Sequence, residues 1–536
     1  MNHTFLKLSF LSTILGCLSP LAFSSCLELR DLKLPHSAIT QAEPIPAGDF
    51  HAPDGNTYKL PDFCRVQGVS KPNKHSKIKF EVWLPSSDWN MRYYQHGQGG
   101  EAGQISYSAL AGYLKEGSVV GATDDGHTAV LGAPYTWALN APEKIIDWGY
   151  RALKETSDAA QVITQQFYRQ SAHYRYFSGC SRGGQQALTA AQRYPEDWDG
   201  VLAGAPDIYL SETIFSFMHR GGRWKYQPKG RIPVAMLPVI QSAALKSCTI
   251  KAHVIDGIAT NPQYCAFDPA VLACTNESSD NCLTSEQIST LQEIYTGPKD
   301  NETLQSIYPG YPSTMETNWG MSMPIEDPKN KEGENFLLSV GEAVYRNIVF
   351  NNPLWQSKQW RYKDLAETRI RGEYLPTIVN AENPDLRRFK EKNGKIMMYF
   401  GWSDAAIPPA SGIKYYDEVV KTMGGISSTN DFFRLFMAPG MNHCAGGPGA
   451  NAFSQHPLPT VQSPVDDSGH SVVRALEYWV EEGKTPKKII ATKYQQDDPK
   501  KGVLFTRTLC PYPEYAIYVK GNTEEASSYD CRAPTE

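Results

Sequence analysis

Seven consecutive residues constrain this chain more than any other feature. Ser178-Gly179-Cys180-Ser181-Arg182-Gly183-Gly184 follows a strand-like run, Tyr174 to Phe177, and precedes a helical pattern from Gln185 to Arg193. A G-x-S-x-G pattern alone arises often by chance. Between a strand and a helix it implies a tight, strained turn, which the flanking glycines make possible. Such a turn lifts Ser181 Oγ above the carboxyl edge of a sheet. Similar flanks recur along the chain. Lys77–Leu84 alternates like a strand, and Arg92–Gln95 and Gly117–Gly121 read as two more. Pro142–Arg169 places Ile145, Ile146, Trp148, Leu153 and Val162 at helical spacing, and Gly200–Gly204 is again strand-like. Strands alternating with helices predict an α/β fold with a mostly parallel sheet.

The alternation dissolves near Tyr209. As far as Thr377 the chain is rich in Pro, Asn, Trp and Tyr, with four cysteines and few strand patterns. It resumes at Lys395–Phe400, with a helix near Tyr415–Val420, a strand at Phe432–Phe436 and a helix at Ser471–Glu482. A chain of 536 residues exceeds the ~250–300 residues that one hydrophobic core usually serves. We read residues 25–208 and 378–536 as one α/β domain and residues 209–377 as an inserted lid domain.

Export is written at the N-terminus. Lys7 precedes an apolar stretch from Leu8 to Phe23, and Ala22-Phe23-Ser24 is an acceptable cleavage site, so residues 1–24 read as a signal peptide. A lipid anchor at Cys26 is the weaker alternative, since Phe23-Ser24-Ser25 is a poor lipobox. No other stretch reaches 18 apolar residues, so no membrane span is expected. The 52 basic and 57 acidic side chains leave a net charge of −5, which argues against nucleic acid or anionic lipid as the main partner. A secreted or periplasmic location follows.

Of eleven cysteines, Cys17 leaves with the signal. An even number remains, which in an oxidising compartment implies disulfides. Cys248 and Cys265, Cys274 and Cys282, and Cys510 and Cys531 are close pairs. Cys26 pairs naturally with Cys64, which leaves Cys180 for Cys444. No zinc-like spacing is present.

A serine hydroxyl is a weak nucleophile without a base. In hydrolases built on such turns the chain order is serine, acid, histidine. Asp404 follows the run Tyr399-Phe400-Gly401-Trp402-Ser403, where the acid belongs, and His443 lies in the loop after the next strand. By the triad template His443 takes the proton of Ser181 and returns it to the leaving alcohol, while Asp404 holds the imidazole in its productive tautomer. The oxyanion needs two N–H donors. One is expected from the backbone of Arg182. The other is expected from Gly99 or Gly100 in His96-Gly97-Gln98-Gly99-Gly100, and the choice stays open. If Ser181 and His443 touch, Cys180 and Cys444 lie within disulfide range.

This arrangement resembles the tannase/feruloyl esterase family of secreted α/β-hydrolases. The matching stretches are Ser178–Gly184, Gly401-Trp402-Ser403-Asp404, Gly440-Met441-Asn442-His443-Cys444-Ala445-Gly446-Gly447 and Thr123-Asp124-Asp125-Gly126-His127. The resemblance covers nearly the whole mature chain, including all five cysteine pairs. It implies hydrolysis of esters of aromatic acids (gallates, hydroxycinnamates or, in one branch, mono(2-hydroxyethyl) terephthalate) with an acyl-enzyme on Ser181, a small aromatic ester as partner and no required cofactor. It also implies a lid that supplies the substrate pocket, with Trp224, Trp319, Trp355, Trp360 and Tyr345 as its conspicuous aromatics and Arg346 as a candidate for a substrate carboxylate. The family's calcium site would fall on Thr249, Ala252, Val254, Asp256 and Ile258. Two of its three carboxylates are gone. Asp256 with the carbonyls of Val254 and Ile258 is a poor calcium set, so binding is expected to be lost or weak. Two other enzyme readings, a general carboxylesterase and a serine peptidase, fit the same fold. A non-catalytic binding protein would normally lack a triad member.

Overall fold

Nine of the strands in this protein join into one sheet. The computed structural model describes residues 25–129, 134–275, 281–300, 303–327, 336–359 and 374–534. The proposed signal peptide and Trp360 lie outside the described residues. The sheet strands are β1 (Ser37–Ile45), β2 (Phe63–Ser70), β3 (Ile78–Pro85), β4 (Arg92–His96), β5 (Val119–Thr123), β6 (Tyr174–Cys180), β7 (Gly200–Gly204), β8 (Lys395–Gly401) and β9 (Phe433–Ala438). Their spatial order is β1-β2-β3-β5-β4-β6-β7-β8-β9. The first four in that order pair antiparallel, and every pairing from β5 onward is parallel.

Burial follows from that order. Strands β5, β7 and β8 are buried at every residue, as parallel strands covered on both faces must be. Adjacent side chains on β4 show what covers each face. Tyr94 points one way and donates its hydroxyl to Glu477 in helix α7 (Val472–Glu482) at 2.7 Å. Gln95 points the other way and donates to the Leu153 carbonyl of α2 (Ala152–Tyr168) at 3.0 Å. The stretch read as one helix from Pro142 is broken: an α-turn, Pro142–Ile146, is followed by a π-turn, Asp147–Arg151, before α2 begins. The π-turn aims Trp148 Nε1 at the Glu101 carbonyl, 3.0 Å away, a local device common near functional sites.

Residues 205–394 form an insertion between β7 and β8, two strands that pair directly. It carries α4 (Leu210–Tyr226) and α5 (Phe336–Val344). At its ends Ile208, Tyr209, Leu386 and Phe389 pack into the main core, as does Tyr308, but many of its other apolar residues gather into separate clusters. Ile232, Leu237, Ile240, Leu291 and Trp319 form one, and Ile214, Met218, Leu338, Val344 and Trp355 belong to another.

All ten cysteines from Cys26 onward are bonded: Cys26–Cys64, Cys180–Cys444, Cys248–Cys265, Cys274–Cys282 and Cys510–Cys531. Among the described residues no helix is long and apolar enough to cross a membrane.

Candidate active site

Strand β6 ends at Cys180, and the chain then turns sharply into α3 (Arg182–Arg193). The turn residue, Ser181, has φ 65° and ψ −126°. That conformation is strained for a residue with a Cβ, so its surroundings must hold it. Its N–H donates to the Gly204 carbonyl at 2.9 Å, and its own carbonyl accepts from Gln185 and Asp207. The glycines are needed for contact as much as for flexibility. A Cβ on Gly183 would lie 2.5 Å from the Gly97 carbonyl oxygen, so α3 presses directly on the loop after β4.

Asp404 and His443 reach the same place because β8 and β9 are neighbours in register, Gly401 opposite Ala438. The loops that leave them therefore emerge side by side. His443 Nδ1 lies 2.6 Å from Asp404 Oδ2. The other carboxylate oxygen, Oδ1, accepts the N–H groups of Ala406 and Ile407, each at 2.9 Å. Asp404 is fully buried. A carboxylate only accepts, so Nδ1 carries the proton and Nε2 is left with its lone pair. Burial disfavours the charged imidazole. The Asp404 charge and hydrogen bond, with a further contribution from Asp207, outweigh it and raise the pKa above the ordinary value. Cys180 and Cys444 are bonded with Cα atoms 6.0 Å apart, which ties the turn at Ser181 to the loop of His443.

Ser181 and His443 open on one cavity of about 570 Å³. Leu210, Ile214 and Phe217 of α4 and Leu337 and Val340 of α5 give it an apolar wall. Gly99 and Gly100 line it on the side of the β4 loop. In that loop the Gly97 N–H is committed to the Ser178 carbonyl at 2.8 Å, and the Gln98 N–H to Gln186 Oε1 at 2.8 Å. The next amides are those of Gly99 and Gly100. The Arg182 N–H is the first of α3, where a helix has no internal acceptor for it.

Two acids in the cavity wall escaped the sequence reading. Asp207 sits just beyond β7, where it accepts from Thr213 Oγ1. Burial raises its carboxyl to about 6 against the pull of that hydrogen bond and of Arg182. Glu101 follows the glycine pair, accepts from Trp137 Nε1 at 3.1 Å and is raised by burial to about 7. A polar residue beside a conspicuous glycine loop was the available signal for Glu101.

The aromatics singled out in the insertion sit elsewhere. Trp224, Trp319, Tyr345 and Trp355 are not in the cavity wall. Trp319 packs in the insertion's own core, Tyr345 and Trp355 stack with centroids 5.8 Å apart, and Trp224 donates to the Ile325 carbonyl. Arg346 is also outside the cavity. Its Nε donates to the Trp355 carbonyl at 3.1 Å, and Glu342 lies beside it. An insertion that must make its own core uses its largest side chains there.

Of the five positions on which the family's calcium site would fall, Thr249 precedes and Ala252 ends a 3-10 turn, Ile250–Ala252, while Val254, Asp256 and Ile258 lie in a tight hairpin. Val254 and Ile255 pair with Ala259 and Ile258, and Asp256 and Gly257 form the turn at φ 52° and 75°. Asp256 Oδ2 accepts from Arg507 Nη2 at 2.9 Å. Among the described residues no group of three or more His, Cys, Asp or Glu side chains is placed to hold a metal ion. One carboxylate already paired with a guanidinium does not fit an ion that takes six to eight oxygens.

Known proteins share this architecture. Residues 64–532 match the family described as tannase and feruloyl esterase. An uncharacterized esterase of Xanthomonas campestris pv. campestris is 38% identical over 535 residues, covering 95% of this chain and 91% of its own. The crystal structure of feruloyl esterase B from Aspergillus oryzae superposes with a TM-score of 0.83 at 26% identity, over 95% of this chain and 99% of that one. Tannin acyl hydrolase from Aspergillus niger shares the fold, with a TM-score of 0.73 at 21% identity over 93% and 92% of the two chains. With its nine-stranded, mostly parallel sheet and its serine turn, this chain is an α/β-hydrolase that belongs to the tannase and feruloyl esterase family.

Proposed function

We propose that this protein cleaves carboxylic esters of aromatic acids through an acyl-enzyme on Ser181. Membership of a family of carboxylic ester hydrolases supports the reaction class. Relatives named feruloyl esterase and tannin acyl hydrolase support an aromatic acyl group. One observation carries the residue assignment: His443, hydrogen-bonded to the buried Asp404, shares a cavity wall with a serine on a strained turn, and a disulfide joins the loops of His443 and Ser181.

In this reading His443 Nε2 takes the Ser181 proton as Oγ bonds to the acyl carbon. The carbonyl electrons move to oxygen, which receives N–H groups from Arg182 and from Gly99 or Gly100. Collapse of the tetrahedral species breaks the bond to the alcohol oxygen, and His443 protonates that leaving group. Water, deprotonated by the same imidazole, then releases the acid. Asp404, whose Oδ1 is held by two backbone amides, keeps the imidazole oriented throughout.

The apolar side chains of α4 and α5 take the aromatic ring, whose burial contributes roughly 1.5–3 kcal/mol. Residues 209–377 act as the lid that completes this pocket. The hairpin at Asp256 stands without calcium, and no cofactor takes part. Five disulfides support export to the periplasm or the exterior after loss of residues 1–24.

The test is an assay of the mature protein and of Ser181→Ala on methyl ferulate, methyl gallate, mono(2-hydroxyethyl) terephthalate and p-nitrophenyl acetate. Turnover of an aromatic-acid ester that vanishes in the variant is the expected result. Turnover of p-nitrophenyl acetate alone would reduce the reading to a general carboxylesterase. An active Ser181→Ala would overturn the residue assignment.

A further inference from the structure

The turn Thr123-Asp124-Asp125-Gly126-His127 contains two buried acids and a buried histidine, none of them needed to move a proton in the scheme above. Its bonds lead to the oxyanion loop at two points. Asp125 Oδ2 accepts from Gln186 Nε2 at 2.5 Å, and Gln186 Oε1 accepts the Gln98 N–H at 2.8 Å. His127 Nε2 lies 3.1 Å from the Glu101 carbonyl oxygen, which also accepts from Trp148 Nε1 at 3.0 Å. Gly99 and Gly100 lie between these two anchored residues.

We propose that this turn is a clamp that positions the Gly99–Gly100 amides for the oxyanion. The inference rests on the acyl-enzyme reading and deepens it.

The chemistry of each partner fixes its direction. A glutamine amide can rotate to exchange oxygen for nitrogen. The Gln98 N–H can only donate, so it takes the Gln186 oxygen and turns the NH₂ toward Asp125, whose Oδ2 accepts it. Gln186 stands on α3, the helix that starts at the nucleophile turn. The oxyanion loop is thereby indexed to Ser181 through one side chain. At the other end the Glu101 carbonyl accepts only, so His127 Nε2 must carry the proton. Burial keeps that ring neutral, and Trp137 stacks on it at 4.0 Å with an interplanar angle of 22°. The turn itself is braced from outside. Asp124 Oδ1 accepts the N–H groups of Lys79 and Gly126, and Thr123 Oγ1 accepts the N–H of Asp125. Asp125 sits at φ 54°, so the brace holds it in a conformation that few non-glycine residues adopt. Close packing completes the clamp, for a Cβ on Gly97 would meet Gln186 Oε1 at 2.7 Å.

A positioning residue of this kind acts on the transition state and leaves ground-state binding alone. Gln186→Met removes both hydrogen bonds at nearly constant size. It is expected to lower kcat about 10–100-fold with KM within about threefold, since even small misplacement at a reacting centre is costly. The affinity of phenyl trifluoromethyl ketone, which forms a tetrahedral adduct on the serine, should fall by the same factor, while that of ferulic acid holds. Asp125→Leu, which leaves the Gln186 NH₂ without its acceptor, should lower kcat about tenfold. Asp125→Asn keeps an acceptor and should restore most of the rate. If Gln186→Met fails to fold, the Asp125 pair carries the test. A folded Gln186→Met or Asp125→Leu with unchanged kcat overturns the clamp, as does equal loss of ketone and ferulic acid binding. Activity in Ser181→Ala would instead defeat the acyl-enzyme reading beneath it.

Discussion

Cys180 and Cys444 are directly bonded, so the residue before Ser181 and the residue after His443 belong to one covalent unit. The bond spans a sequence separation of 264 residues, for which chain entropy gives roughly 5–6 kcal/mol as an upper value. The Cys274–Cys282 bond spans only 8 and lies in the insertion. Replacing Cys180 and Cys444 together by alanine should lower Tm by several degrees and reduce kcat more than tenfold, because it loosens the proposed base from the proposed nucleophile. The same replacement at Cys274 and Cys282 should leave kcat within twofold. Calorimetry and kinetics on both pairs check this, and equal effects on kcat would refute the coupling.

Gly183 tests the contact between α3 and the oxyanion loop. In Gly183→Ala the new Cβ would sit 2.5 Å from a backbone oxygen, that of Gly97, which has no side-chain freedom to yield. The loop must shift, so kcat is expected to fall at least tenfold and Tm by several degrees. By contrast Gly99→Ala meets nothing within 4 Å and should be well tolerated in Tm. Thermal melts and steady-state kinetics of the two variants separate packing from catalysis.

Much of this was legible in the sequence, and the boundary is physical. Strands β5, β7 and β8 are largely apolar because helices cover both faces of the sheet. Strand β1 is not, since its side chains are mostly half-exposed and Ala42 alone is buried, so no clear pattern marks it. Ser181, Asp404 and His443 were readable because each lies just past the carboxyl end of a strand or in the loop after one. Gln186 was not, since its partner Asp125 is 61 residues away and only the folded chain joins them. Tyr345 and Trp355 show a further limit. A core and an aromatic pocket both want large apolar rings, and sequence cannot tell which one a given ring serves.

Calcium removal should change little. Asp256 is the only carboxylate left at the five calcium positions, and it is already engaged by Arg507. Prolonged EDTA dialysis should leave Tm within about one degree and activity unchanged, and added calcium should not restore or raise either. Asp256→Ala should shift stability by less than ~1 kcal/mol, since the Asp256 side chain is 59% exposed and such pairs contribute little. A chelator-dependent fall in Tm, reversed by calcium, would show that backbone carbonyls suffice for a site.

The pH profile tests the base. The proposed mechanism needs neutral His443, and Asp404 with Asp207 raises its pKa above the ordinary 6.5. Activity should therefore rise with pH through a limb whose apparent pKa exceeds 6.5 and then level off. The sign of a charge change follows. Asp207→Asn removes a negative charge that favours the imidazolium, so the His443 pKa falls and the limb of kcat/KM moves to lower pH. The neutral carboxamide can still accept from Thr213, so the local hydrogen bond survives. Asp404→Asn behaves differently. An amide that turns its NH₂ toward Nδ1 selects the wrong tautomer, and kcat should fall by about 10⁴-fold at every pH. Rates from pH 5 to 9 for wild type and both variants decide it. A limb that stays in place in Asp207→Asn would remove Asp207 from the electrostatics of the base.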